Sequence, residues 1–364
     1  MKISAVTNYL ESLAPLSSQE GYDNSGLIVG NSNNELSKAL ISLDCTEEII
    51  DEAIENGCNL VIAHHPIVFK GLKSFTGKNY VERTVIKAIK NDVAIYAIHT
   101  NLDNYKGGVN KKIGEKLGIS NPKILSPSSS TLNKISVYCP IDNKASVMQS
   151  MFSAGAGNIG DYSECSFSSL GEGTFKASDN ANPHVGNINE RHTEKESKIE
   201  VIASRHRINH IVKAMLNAHP YEEVAYDIYP LANQNKYEGA GMYGELEAPV
   251  NTLDFLKKLK ETFHCKVVRH TNINSDTIKR IAWCGGSGSF LLNKAKSIGA
   301  DIYITGDFKY HEFFDAENQI VIADIGHYES EQFTSELIAE LCAENFTNFA
   351  AYLSKINTNP IKYL

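Results

Sequence analysis

Three short segments of this 364-residue chain place imidazole and carboxylate groups directly after runs of apolar residues. The first is Ala63-His64-His65-Pro66, which follows Leu60-Val61-Ile62. The second is His99-Thr100-Asn101-Leu102-Asp103, which follows Val93 to Ile98. The third is Asp324-Ile325-Gly326-His327-Tyr328-Glu329-Ser330-Glu331, just past Ile320-Val321-Ile322-Ala323. Ligand sites in open α/β sheets lie beyond the carboxyl ends of strands, so three such ends can converge. Adjacent histidines can point to different sides of the chain, one toward one ion and its neighbour toward another. Pro66 restricts His65 to an extended conformation, which helps hold that divergence. Read alone, the pair is also compatible with two polar loop histidines. If a helix starts near Gly326, His327 and Glu331 lie one turn apart on one face. The carboxylate can then bridge two cations while the imidazole completes one of them.

Together, His64, His65, Asp103, His327 and Glu331 are expected to ligate metal. Mixed imidazole and carboxylate donors suit zinc, iron, manganese, cobalt or nickel better than calcium or magnesium. The expected cofactor is two divalent ions per chain, zinc foremost. Paired ions roughly 3.5–4 Å apart polarise a substrate oxygen and lower the pKa of a bridging water. The resulting metal-bound hydroxide is a nucleophile at neutral pH, so the pattern points to hydrolysis without choosing a substrate.

Other residues carry weaker signals. His99 could orient a ligand through its ring nitrogen or simply hydrogen-bond near its strand end. Asp44 and Asp324 also end strands and could carry protons, although strand-end aspartates often cap the next helix. Asp23 and Asn24 either reach the site or form a turn before Gly26-Leu27-Ile28-Val29. Trp283 and Tyr303 read as core. His184, His192, His206 and His210 are assigned no chemistry.

The elements that must position these groups follow from periodicity. Ala39 to Leu43, Leu60 to Ala63 and Val93 to Ile98 read as buried strands. A helix carrying Ile49, Ile50, Ala53 and Ile54 lies between the first two and ends at Gly57. Later, Arg280 to Cys284, Ile302 to Thr305 and Ile320 to Ala323 repeat this strand order, with a helix through Phe290, Leu291, Leu292 and Ala295 ending at Gly299. Continuous apolar strands alternating with helices indicate parallel sheets covered on both faces. We therefore expect a duplicated, three-layer α/β outer domain with parallel-rich sheets, formed by residues 1–128 and 247–364. Between its halves, residues 129–246 show two βαβ units in series, which describes a ferredoxin-like α+β domain. Ser126-Pro127-Ser128-Ser129-Ser130 reads as a linker, and the polar stretch from Thr174 to Lys198 as a mobile loop.

Composition narrows the function classes. Hydrophobic residues make up 42% of the chain, enough for a sizeable core. The net charge of -8 and the absence of a Lys/Arg run argue against a general nucleic-acid or anionic-membrane surface. The seven cysteines are odd in number and contain no CxxC spacing, which fits a reducing compartment. No apolar run approaches the roughly 18–20 residues needed to cross a bilayer. The expected location is the cytoplasm.

The motifs, taken in order, resemble the Nif-three-like dinuclear-metal proteins, whose bacterial members carry the name GTP cyclohydrolase 1 type 2 homolog. The resemblance begins at Asp23-Asn24-Ser25-Gly26-Leu27, continues through the His64 and His99 segments, and ends at Gly326 to Glu331. It implies His64, Asp103 and Glu331 on one metal and His65, His327 and the same Glu331 on the other. The middle region, by Gly155 to Phe167 and His219 to Tyr226, is similar to the PII/CutA-like insertion of longer members. The resemblance also implies a homohexameric ring with metal sites facing an internal cavity, and a reaction that opens the imidazole ring of GTP. The alternatives are a two-metal phosphodiesterase or amidohydrolase acting on another small molecule, and a non-catalytic regulatory protein that senses metal or nucleotide.

Overall fold

Helix α1 (Ile3–Leu13) buries Ile3, Val6, Thr7 and Leu10, a stripe at helical spacing that seals one side of the first sheet. The structure is a computed structural model describing residues 1–129, 131–346 and 350–364. Strands β1 (Gly26–Val29), β2 (Ala39–Ser42), β3 (Leu60–Ala63) and β4 (Ala94–Ala97) follow. Helix α2 (Glu47–Glu55) crosses from β2 to β3, and α3 (Tyr80–Lys90) crosses from β3 to β4. Thr46 caps α2 by accepting from the Ile49 N–H, and Asn79 caps α3 by accepting from the Glu82 N–H. Strands β2, β3 and β4 are parallel and buried at every position, because both of their faces are covered. Short helices α4 (Thr100–Asn104) and α5 (Val109–Leu117) lead into strand β5 (Lys123–Ser128).

The chain then runs through β6 (Leu132–Pro140), α6 (Lys144–Ser153), β7 (Ser166–Lys176), β8 (Arg191–Ser204), α7 (Ile208–Ala218) and β9 (Tyr226–Pro230). These strands form one antiparallel sheet in the order β7-β8-β6-β9, the ferredoxin-like arrangement. Ile135, Val137, Ile199 and Val201 bury one of its faces against Val147 and Met151 of α6 and Ile211 and Met215 of α7.

The last part comprises β10 (Asn235–Asn251), α8 (Thr252–Thr262), β11 (Arg269–His270), β12 (Thr277–Ser287), α9 (Leu292–Ser297), β13 (Ile302–Gly306), β14 (Val321–Asp324), α10 (His327–Glu331), α11 (Thr334–Asn345) and β15 (Ala351–Leu353). Strands β12, β13 and β14 are parallel, with antiparallel β11 against β14. The first sheet has the same core: β2, β3 and β4 are parallel, with antiparallel β1 against β4. One counterpart differs. Where α3 joins β3 to β4, a 3-10 stretch (Tyr310–Ala316) joins β13 to β14. The fold is thus mixed α/β with parallel-rich sheets. The facing sides of the two sheets, through residues such as Ile62, Tyr96, Trp283 and Ile304, share one core with α1, α5, α8 and α11.

The chain separates into two compact units, Met1–Pro127 with Lys236–Leu364, and Ser128–Asn235. Three expectations change. The return to the outer unit comes at Lys236 rather than 247, because β10 pairs Met242 to Glu245 with β12; the polar, glycine-containing sequence of β10 conceals a strand. Ser126 to Ser128 end strand β5 rather than forming a linker, and Ser130 lies outside the described residues. Much of Thr174 to Lys198 is strand, since β7 and β8 pair from Ser166–Val201 out to Lys176–Arg191. Main-chain hydrogen bonds hold this ribbon, and its outer part has little apolar content because much of it meets solvent on both faces.

No helix among the described residues is long and apolar enough to cross a membrane.

Candidate metal centre

His64 and His65 lie in the bend directly after β3, with N–H groups donating to the carbonyls of Ser42 and Leu43. Asp103 projects from α4, whose first turn begins at His99. His327 and Glu331 stand one turn apart on α10, which starts after Gly326. The structure brings all five together. His65 Nε2 lies 3.0 Å, His327 Nε2 3.1 Å and His64 Nε2 3.9 Å from the single oxygen Oε2 of Glu331. His64 Nε2 is 3.6 Å from Asp103 Oδ1. Each of two donor groups, His64-Asp103-Glu331 and His65-His327-Glu331, lies within 4.8 Å internally, and these groups could hold a metal ion.

Every imidazole is held from behind. His64 Nδ1–H donates to the Ile98 carbonyl at 2.8 Å, His65 Nδ1–H to Asp44 at 2.8 Å, and His327 Nδ1–H to Asp307 at 2.7 Å. His99 Nδ1–H donates to Asp23 at 2.7 Å, and its ring lies 5.3 Å from those of both His64 and His65. Such bonds direct the other ring nitrogen, Nε2, toward the centre and raise its basicity as a ligand.

Electrostatics point the same way. His64 is fully buried, and burial pushes its pKa down to about 4, so its imidazole is neutral at pH 7. Burial opposes charge on His65 as well, but hydrogen bonds to Asp44 and Glu331 outweigh it and raise its pKa to about 9. The charge of Glu331 lifts His327 to about 11. Burial, reinforced by the nearby Glu331 charge, holds Asp103 well above the usual carboxylate range. Burial also works against ionisation of Glu331, yet His327 overcomes it and keeps that carboxyl well below its ordinary value. A buried Glu331 beside the partly buried Asp103 is costly to ionise together with it unless positive charge sits among them. His64 Nε2 and Asp103 Oδ1 are both buried without a hydrogen-bond partner. A cation between them would satisfy both.

The irregular, glycine-containing end of β12, where its register with β13 shifts between Trp283 and Ser287, closes the cluster. A Cβ on Gly286 would lie 2.4 Å from Glu331 Oε1 and 3.2 Å from His327 Cε1, so only glycine fits. This end of the strand is clamped on two sides. The Gly285 N–H donates to Asn110 Oδ1 at 3.0 Å, and the Gly286 N–H donates to Ser330 Oγ at 2.9 Å. Wholly buried Trp283 donates its indole N–H to the Asn110 carbonyl, tying β12 to α5. Tyr303 is likewise core.

The donors open onto a cavity of about 500 Å³ lined by Tyr22, Phe69, Phe290 and Tyr328, among others, and by Asn359 to Ile361 near the chain end. Asp44 faces this cavity, but its carboxylate is spent on His65 and on the Thr358 hydroxyl. Asp324, considered above as a proton carrier, is committed elsewhere. It accepts from the Gly326 and Phe308 N–H groups, pairs with Arg269, and does not line the cavity. Asp23 reaches His99, whereas Asn24 donates to the Val68 carbonyl. Asp307 escaped the sequence reading although it directly follows β13, a position of the same kind as that of His64 after β3. The segment after Cys284 reads in the sequence as a Gly-rich turn, but nothing there tied Gly286 to the donors, and nothing marked Asn110 or the terminal segment.

Relatives match this chain over its whole length. A model of the Duf34/NIF3 (NGG1p interacting factor 3) family matches residues 1–360. A Halalkalibacterium halodurans protein named GTP cyclohydrolase 1 type 2 homolog is 37% identical over 372 residues, covering 100% of both chains. The Bacillus subtilis protein of the same name is 35% identical over 94% of this chain and 93% of its own. The crystal structure of a Bacillus cereus protein related to NIF3 aligns with a TM-score of 0.87 at 36% identity, over 100% of this chain and 99% of its own. A family match that runs unbroken from α1 past Glu331, together with relatives of matching length, places this chain in the Duf34/NIF3 family.

Proposed function

We propose that the chain is a metal-dependent hydrolase holding two divalent transition ions. In this reading His64, Asp103 and Glu331 hold one ion, and His65, His327 and the same Glu331 hold the other. Zinc suits the donor set best, with iron, manganese, cobalt and nickel as competitors. The observation that carries the reading is that two tight donor groups share one carboxylate. The unpartnered His64 Nε2 and Asp103 Oδ1 support it.

Two such ions would supply Lewis acidity toward a substrate oxygen and lower the pKa of a water between them. The chain's own residues do the rest. Asp44, Asp307 and the Ile98 carbonyl keep three imidazoles aimed at the centre. His99, with Nδ1 spent on Asp23, keeps Nε2 for a proton at the cavity edge. Tyr22, Phe69, Phe290 and Tyr328 offer faces for a flat heterocycle. The relatives' name points to GTP as substrate, and the family resemblance implies a reaction that opens its imidazole ring. By the family resemblance we also propose a cytoplasmic homohexamer, which light scattering of the purified chain tests for size, and a PII/CutA-like character for the inserted unit.

The central test loads purified protein with zinc, iron or manganese and incubates it with GTP, cyclic and linear nucleotides, and small amides. Mass spectrometry follows the products. We expect one class to be consumed, and Glu331→Gln to abolish turnover and lower the metal content by at least one ion per chain. Metal-replete protein that consumes none of these substrates would overturn the hydrolase reading in favour of a sensor. Two ions retained by Glu331→Gln would overturn the ligand assignment.

A further inference from the structure

The antiparallel sheet of the inserted unit has α6 and α7 on one face only. On its other face lies a second cavity, of about 620 Å³, within the size range of small-molecule sites. Its floor is the ribbon of β7 and β8. Its walls are the connection between those strands and the segment around Tyr221. The Asn182 N–H donates to Glu222 at 2.8 Å, which ties one wall to the other.

Two strand glycines shape the floor. Gly173 is explained by its neighbour, since a Cβ there would lie 2.1 Å from Glu196 Oε2. Gly171 is not explained that way. A Cβ on Gly171 would meet nothing within 4 Å, and its backbone lies outside the left-handed region. Glycine weakens a strand and often marks a place where a ligand approaches closely. Here neither conformation nor a neighbouring atom demands it, and its missing side chain keeps the floor hollow.

The chemistry around the hollow is specific. Tyr138, Phe175 and Tyr221 supply aromatic surface, with the Phe175 and Tyr221 ring centres 6.5 Å apart. The Tyr221 hydroxyl donates to Glu196 at 2.9 Å, which fixes both side chains. The lining carries Glu196, Glu222 and Glu223 against the imidazole of His184 and against Lys198, whose ammonium already pairs with Glu200 at 3.2 Å; Glu172, between the two glycines, alternates to the other face of the strand. We propose that this cavity binds a small organic cation, an ammonium compound with an aliphatic or aryl skeleton. The carboxylates balance its charge, and the ring faces attract the ammonium through their quadrupoles. The same lining repels phosphates, so a free nucleotide is excluded as its ligand.

The test uses the full chain and calorimetric titration with spermidine, benzyltrimethylammonium and, as the anionic comparison, ATP. At least one ammonium probe is expected to bind, more weakly as salt rises, while ATP does not bind the inserted unit. Gly171→Leu fills the hollow from an exposed strand position where a side chain is tolerated, and Glu223→Gln removes one exposed charge. Gly171→Leu should weaken binding at least about tenfold and Glu223→Gln about threefold, roughly the loss of one cation–π or carboxylate contact. Thermal unfolding and metal content should match those of the unsubstituted chain. The proposal is overturned if neither ammonium probe binds at about 1 mM, if Gly171→Leu binds as well as the unsubstituted chain, or if ATP binds and Gly171→Leu expels it.

Discussion

Asp307 shows how a residue outside the donor set can govern it. Its carboxylate accepts from His327 Nδ1 at 2.7 Å and is half exposed, so its removal should leave folding intact. Orienting partners of this kind are worth about 10–100-fold in metal affinity. Asp307→Asn is therefore expected to weaken the ion at His327 by about that factor with an unchanged circular dichroism spectrum; competition with a chromophoric chelator measures it. Protons compete at the same atoms. His65 and His327 have pKa values raised to about 9 and about 11, so the metal-free protein holds protons on both at pH 7. Ligation needs the neutral ring, and filling the site must release those protons. Metal affinity should rise with pH through neutrality, rise less steeply above about 9 once His65 has lost its proton, level off only above about 11 where His327 has lost its own, and fall steadily toward acid. Calorimetry in buffers of different ionisation enthalpy reads the released protons, and zero release at pH 7 would contradict the ligand set.

At the scale of elements, the site depends on short strands that end together. Strands β3 and β4 deliver His64, His65 and His99, while β13 and β14 deliver Asp307 and α10. The parallel registers hold these ends level, as Ala63 pairs with Ala97 and Thr305 with Asp324. The glycine-containing end of β12 fills the remaining side, and its tolerance is narrow. Gly286→Ala would put a methyl group 2.4 Å from Glu331 Oε1 at a φ of +61°. We expect loss of at least one ion per chain, measured by elemental analysis, with the sheets intact because Trp283 still anchors β12. Metal content equal to that of the unsubstituted chain would show that this end of the strand yields more easily than this packing implies.

At the scale of the whole molecule, every donor and every orienting partner belongs to the unit formed by Met1–Pro127 and Lys236–Leu364. The two ends of the excursion meet within that unit: β5 and β10 are sheet neighbours, and a Cβ on Gly239 would lie 2.2 Å from the Ser126 carbonyl oxygen. A short turn can therefore replace residues 128–235. The shortened chain is expected to be folded and to bind metal with the same stoichiometry as the full chain. Chromatography with elemental analysis checks this, and a metal-free or aggregated product would show that the outer unit needs the insert.

Much of the centre was legible because its residues sit where α/β sheets put ligands, directly after apolar strands, and because His327 and Glu331 obey helical spacing. The ferredoxin-like rhythm of the insert was legible wherever apolar residues alternate, and it faded in the β7–β8 ribbon, whose outer half meets solvent on both faces. Sequence thus determined the donor types and the strands that carry them, since local pattern depends on near neighbours. Only the tertiary structure decided which aspartates serve: Asp44, Asp23 and Asp307 hold imidazoles, while Asp324 is bound to Arg269 and backbone N–H groups. The three contacts that hold imidazoles join residues 20–76 positions apart along the chain, and no local periodicity encodes such distances.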